Sequence, residues 1–505
     1  MANRMKNVIV IMADSWRFDY LGCYGNDWIQ TPNIDSFTKE STLFENAYAE
    51  GCPTIPTRRA LLTGRYTLPY SGWRPLATAD QTLADFFWTE RIQTAFISDT
   101  SMMHMPGYGY ERGFDFVQHI RGHQWDRFFR PLSHDLDMDR FHKKVLIRDS
   151  DEGEIEIPVS LWAKSELNDY LPFRQHWKTD EDQMSARVSR AAMNYLDRVN
   201  REAPFFLWVD CFDPHEQWDP PSIWDPEMKC PYDLDYEGVE LINPAGTIVD
   251  GYLTEREAHH VRMLYAEKVT TVDKWLGKIL DKLKNLGLYD DSLIIFLSDH
   301  GEPLGNGEHG HGLMRKCRPW PYEELVHIPL VIHHPGHEGN RISSYVQTVD
   351  IAPTIVDFLE MPDVSDLMQG KSLLPLIKGD VDKVRDFAIA GYFNLSWSII
   401  TDDWSYIHWL DPKDPHPIQM LSVLGLAKME EHTEIWTCVP GSAAETPETD
   451  ELYDRQKDTY QLKNLLEQKP DVANDMFLKL RDFMLGLRSE PEQQPRKQFQ
   501  VIIPA

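Results

Sequence analysis

Short, continuous apolar runs recur along this chain. Val8–Met12, Thr94–Ser98, Pro204–Asp210, Ser292–Leu297 and Ile328–His333 are rich in Val, Ile, Leu and Phe and are bounded by polar residues. Runs of this length without alternation read as strands buried on both faces, as in a mostly parallel sheet. Between them the apolar spacing turns helical. It predicts helices starting at Thr31–Asp35 and over Thr82–Trp88, Glu181–Asn200 and Asp350–Leu359, with Glu255–Leu286 as one long helix or two abutting ones. Phe44–Glu50 predicts a strand leading into the turn at Thr54. Buried strands alternating with helices specify an α/β fold with helices on both faces of one sheet.

The pattern changes after about residue 380. Ala388–Ile407 and Glu451–Tyr453 predict strands of a smaller sheet, and Asp471–Leu487 a late amphipathic helix. The division expected is therefore a catalytic-sized α/β unit over 1–380 and a C-terminal subdomain with a tail over 381–505. Residues 119–180 and 220–250 show no clear period and read as insertions over one face of the sheet. The tail Ser489–Ala505 is charged and Gln-rich and ends in Val-Ile-Ile-Pro-Ala; it reads as a frayed end or as a contact for a second subunit, which leaves a homo-oligomer open.

Composition narrows the function. The 505-residue chain is 42% apolar with sixteen Trp, ample for a large core. Its net charge of −29 argues against nucleic acid or an anionic membrane as partner. A small anionic substrate would need local cations or a metal to reverse that field. The apolar run at Val8–Met12 is too short for a secretory signal, and no stretch of about twenty apolar residues exists to span a membrane. The six cysteines are scattered, with no C-x-x-C pair, so a reduced cytoplasmic protein is expected.

Candidate chemistry gathers at strand ends. Asp14, Asp213 with His215, and Asp299-His300 follow predicted strands, where open α/β sheets place their ligands. Thr54 begins a Pro-containing helix start with Arg58 one turn on, a geometry suited to an anion. Each residue also has a plain structural reading. Asp14 can be a helix N-cap, Asp213 can shape the turn before His215, and Thr54 can open a Pro-capped helix. Taken together, two carboxylates and an imidazole form a donor set for a hard divalent cation, and a metal beside Thr54 would acidify its hydroxyl.

The chain resembles the sulfatase and phosphonate monoester hydrolase (phosphodiesterase) branch of the alkaline phosphatase superfamily. The matching stretches are Val8–Asp14 with Trp16-Arg17, Tyr20-Leu-Gly-Cys-Tyr-Gly25, Thr31-Pro-Asn-Ile-Asp35, Pro56-Thr-Arg58 with Leu61–Arg65, and Phe212-Asp-Pro-His215. Leu297-Ser-Asp-His-Gly-Glu302, His311-Gly-Leu-x-x-Lys316, Glu451-Leu-Tyr-Asp454 and Lys463-Asn-Leu465 complete the series. The resemblance implies a large mixed sheet between helices plus a small antiparallel C-terminal α+β subdomain. It implies one divalent metal ion (Mn²⁺, Zn²⁺ or Ca²⁺) on Asp14, Asp299 and His300, with Thr54 completing the set. It places Arg58 beside the nucleophile, and His215, His311 and Lys316 on the ester oxygens and leaving group.

This chain departs from the resemblance at three places. The formylglycine precursor, Cys or Ser in the family, is Thr54 here, while Cys52 lies two residues too early; no formylglycine is expected. The second Asp found after the first ligand in many sulfatases is Ser15. The Lys-Trp-His element is replaced by Thr100-Ser-Met-Met-His104, leaving His104 as a candidate substrate contact beside Asp213. A threonine ester has no second hydroxyl, so water must attack the central atom. That step favours a phosphate diester or phosphonate monoester over a sulfate ester. Sulfate hydrolysis without formylglycine and a non-catalytic anion-binding role are the alternatives.

Overall fold

The computed structural model describes residues 6–124, 126, 138–144, 146–149, 153–156, 158–174, 176–307, 309–316, 320–393, 395–410, 447 and 449–489. The expected docking tail falls outside these residues beyond 489. In chain order the strands are β1 (Asn7–Ala13), β2 (Thr42–Tyr48), β3 (Gln93–Ser98), β4 (Phe116–His119), β5 (Leu146–Asp149), β6 (Gly153–Glu156), β7 (Phe205–Cys211) and β8 (Ser292–Ser298). They continue with β9 (Leu304–Gly305), β10 (Leu313–Met314), β11 (Leu330–His333), β12 (Arg341–Gln347), β13 (Ala388–Tyr392), β14 (Ser396–Ile400), β15 (Trp404–Trp409) and β16 (Glu451–Asp454).

An eight-stranded sheet in the order β12-β2-β11-β8-β1-β7-β3-β4 forms the centre. Its strand pairs are parallel except those of β11, which runs against both β2 and β8. Both faces are covered. Ile9, Ile11 and Ala13 of β1 enter one apolar core, while Val8, Val10 and Met12 enter the other. Burial on two sides is why these strands read as unbroken apolar runs. The first core is closed by one continuous helix, Glu255–Asn285, which starts with a capping box between Thr254 and Glu257.

The insertion 119–180 contains a 17-residue helix, Pro158–Arg174, that the sequence reading did not anticipate. It buries Glu166 and Arg174 as well as Leu167 and Leu171, so no single apolar stripe marks it. β4 and β12, the two sheet edges, were also not anticipated; both are partly exposed and only weakly apolar.

The small sheet β13-β14-β15-β16 is antiparallel throughout. It packs with the helix Pro470–Ser489 in a core that also takes Ala60, Tyr66 and Leu68 from the helix at Thr54 and its exit. Cys52 is tied to this sheet as well, its backbone N–H donating to the Gly391 carbonyl at 2.8 Å.

Candidate active site

Strand register gathers the site. Ala13 of β1 pairs with Cys211 on one side and Ser298 on the other, so all three strands end in one row. Asp14 and Asp299 are the next residues of their strands and leave the sheet side by side. Ser15, with φ 61°, turns its backbone N–H onto Asp299 Oδ1 at 3.0 Å, and the His300 N–H donates to the same oxygen at 2.8 Å. The Ser15 hydroxyl donates to Asp14 Oδ1 at 2.8 Å, so the residue standing at the family's second Asp orients the first.

Thr54 is the first residue of the helix Thr54–Thr63 and is buried. Its Oγ lies 3.3 Å from His300 Nε2. His300 Nδ1 donates to the Gly301 carbonyl at 2.7 Å, which leaves the lone pair on Nε2 facing the cluster. Asp14, Asp299 and His300 present one donor atom each within 4.8 Å of one another. Asp14 Oδ2 is buried and makes no aligned hydrogen bond, although Arg58 Nη1 lies 2.9 Å away. Burial, together with the Asp299 charge, pushes the Asp14 carboxyl up to about 6. Burial also lowers His300 to about 4, so its imidazole is neutral. Paired buried carboxylates beside a neutral imidazole fit a hard or borderline divalent cation.

Arg58 is fully engaged by the protein. Its Nε and Nη2 bind Asp210 at 2.9 and 2.7 Å, and Nη2 also reaches Thr100 Oγ1 at 3.4 Å. Nη1 binds Asp299 Oδ2 at 2.6 Å and the Thr54 carbonyl at 3.2 Å. In this arrangement Arg58 acts through carboxylates; to grip an ester oxygen it would first have to release one of these partners.

The other candidates separate into two groups. Lys316 lies near enough to Asp14 and His300 to influence both, and its Nζ binds Glu216 at 2.9 Å and Glu302 at 3.0 Å. His215 is stacked on Phe212 at 3.9 Å and donates from Nδ1 to the Glu216 carbonyl. Burial holds its pKa well below the usual imidazole range, so Nε2 carries a lone pair. His311 faces elsewhere. Its Nδ1 meets Glu324 at 3.1 Å, its Nε2 meets the Gln461 carbonyl at 3.0 Å, and its ring stacks on Tyr322. His104 stacks on Phe96 and His119, away from this cluster. Asp213 is buried among His123, Lys268 and the Ser185 N–H, a network that anchors the turn before His215.

Asp210, Thr100, Glu216, Glu302 and Arg315 are site residues that sequence reading did not assign. Asp210 stands one residue before the end of β7, and Asp14 one residue past the end of β1, and a carboxylate at the end of an apolar run was the available signal. Arg315 has no such signal: it is buried against Glu216 at 2.7 Å by a fold-dependent contact.

The sulfatase family model matches residues 6–361, and a C-terminal model described as N-sulphoglucosamine sulphohydrolase matches 307–417. An arylsulfatase of Clostridium perfringens is 24% identical over 402 residues, covering 75% of this chain and 80% of that protein. A multifunctional alkaline phosphatase superfamily protein of Trinickia caryophylli is 26% identical over 426 residues, covering 74% and 77%. Among solved structures, the phosphonate monoester hydrolase of Agrobacterium radiobacter superposes with a TM-score of 0.66 at 20% identity, covering 96% of this chain and 95% of that one. A metal-ready carboxylate and imidazole set at the end of an alkaline-phosphatase-like sheet, matched by a model spanning most of that sheet, makes the chain a metal-dependent ester hydrolase that belongs to the sulfatase family.

Proposed function

We propose that the protein hydrolyses phosphate diesters or phosphonate monoesters, with Thr54 as the nucleophile. One observation carries this reading: the Thr54 hydroxyl, at a helix N-terminus, lies 3.3 Å from His300 Nε2 of the metal-ready set. The only cysteine close by in sequence, Cys52, is buried, and burial pushes its thiol well above the usual range. Asp14, Asp299 and His300 would hold the cation, which supplies Lewis acidity to an ester oxygen and lowers the pKa of a nearby hydroxyl.

The remaining steps belong to the chain's own residues. Thr54 Oγ forms a bond to phosphorus as the ester P–O bond opposite it breaks, and the proton given up by Thr54 leaves with the departing oxygen as the alcohol. The helix N-terminus at Thr54 favours negative charge at that oxygen. Lys316 remains a cation between Glu216 and Glu302 and stabilises the departing oxygen. His215 Nε2 accepts a proton from the water that cleaves the phospho-threonine, regenerating the hydroxyl and releasing the acid.

The test is turnover of matched aryl phosphodiester, aryl phosphonate and aryl sulfate esters with Mn²⁺ or Zn²⁺. Thr54→Ala is expected to lower kcat about 10³-fold or more. Full turnover by that variant would end the nucleophile assignment. A second reading, a sulfuric ester hydrolase working without formylglycine, draws support from the sulfatase family match and from the relatives named as sulfatases. Faster turnover of the aryl sulfate would favour it. No turnover of any ester and no bound metal would favour an anion-binding protein.

A further inference from the structure

We propose that Asp210, braced by Thr100, positions Arg58 and completes the charge balance of the buried metal centre, so that cation binding depends on a carboxylate that is not a ligand. This rests on the metal centre alone and is independent of whether the ester is a phosphate or a sulfate.

The geometry is specific. Asp210 takes the Nε and Nη2 edge of Arg58 in a two-bond fork at 2.9 and 2.7 Å. Such a fork fixes a guanidinium plane in a way a single contact cannot. Thr100 Oγ1 donates to Asp210 Oδ1 at 2.7 Å and fixes the carboxylate in turn. With that edge locked, Nη1 is left between Asp299 Oδ2 at 2.6 Å and Asp14 Oδ2 at 2.9 Å. Arg58, Asp14, Asp210 and Asp299 are all fully buried. Charges at such depth are tolerated only when paired.

Three carboxylates, one guanidinium and a dication sum to zero. Without Asp210 the same group carries a net positive charge, and a freed guanidinium competes with the cation for Asp14 and Asp299. Lys316 is engaged separately, by Glu216 and Glu302. Asp210 lies two rows behind the ligands, paired in register with Met12 and Ser98, and the cation's donor group does not include it. It is a positioning residue.

The experiment uses the full chain, stripped of metal by chelation, titrated with Mn²⁺ and with Zn²⁺ in a calorimeter. Asp210→Asn keeps the shape and removes the charge; Thr100→Val keeps the shape and removes the brace. Asp210→Asn is expected to weaken Mn²⁺ binding at least tenfold and to lower kcat, with KM for an anionic ester unchanged or lower because the guanidinium is now uncompensated. Thr100→Val is expected to shift both readouts several-fold in the same direction. A purely structural role would lower the melting temperature and leave the Mn²⁺ Kd of the folded protein alone. Wild-type Mn²⁺ affinity in folded Asp210→Asn overturns the proposal. If that variant does not fold, wild-type affinity in Thr100→Val overturns it.

Discussion

Asp14 shows how a single buried carboxyl couples metal, pH and stability. Its folded pKa of about 6 stands above its ordinary value of 3.8. The folded chain therefore binds this proton more tightly than the unfolded chain does. The associated stability is fully present below about pH 4 and is lost as pH rises through 6, amounting to about 3 kcal/mol. Glu50 and Glu267, raised to about 7 by burial, act in the same direction. A cation that displaces the Asp14 proton reverses that share alone. The melting temperature of chelated protein is expected to fall between pH 4 and 6, and the gap between metal-loaded and chelated protein to widen over the same range. A gap independent of pH would remove Asp14 from the ligand set.

At the scale of elements, strand ends do the positioning, and one glycine sets how closely they approach. A Cβ on Gly301 would lie 2.1 Å from the Glu324 carbonyl oxygen. The Gly301 N–H also donates to the Leu325 carbonyl at 2.6 Å. The loop leaving β8 is thus held against the backbone at Glu324–Leu325, which aims His300 Nε2 at Thr54. Gly301→Ala is expected to destabilise the fold by about 2–4 kcal/mol and to lower metal affinity in whatever fraction folds. Denaturant unfolding and metal analysis of the purified variant check both. The sheet's central strands were legible because burial on both faces leaves continuous Val, Ile and Leu runs. Edge strands β4 and β12, and the helix Pro158–Arg174 with its buried Glu166 and Arg174, were not, since their residues answer to partners distant in sequence.

Across the whole molecule, the small sheet supports the large one. Gln461, at φ 56° and buried, accepts the Glu323 N–H at 2.7 Å through Oε1 and donates from Nε2 to Ser405 at 2.9 Å. Its carbonyl meets His311, and Glu324 meets the other ring nitrogen. Gln461→Ala is expected to cost about 1–3 kcal/mol by stranding the Glu323 N–H. Denaturant titration measures that loss, and turnover on the same variant reports whether the loop carrying His311 and Lys316 has moved. Among the described residues, no helix is long and apolar enough to cross a membrane.

The sequence alone determined the alternation of buried strands and helices, the second small sheet, the family resemblance and the placement of Asp14, Thr54, Asp299 and His300 at element ends. Each of these depends on local periodicity or on short motifs, which a linear chain displays directly. Only the tertiary structure decided what those side chains face. It directs every Arg58 donor to a protein acceptor, encloses Lys316 between two glutamates, and turns His311 toward Gln461 instead of the metal-ready set. It also assigns Asp210 a place behind the ligands. Charge compensation in a buried site is a property of groups converging from β1, β3, β7, β8 and the Thr54 helix, and no sequence spacing encodes that convergence.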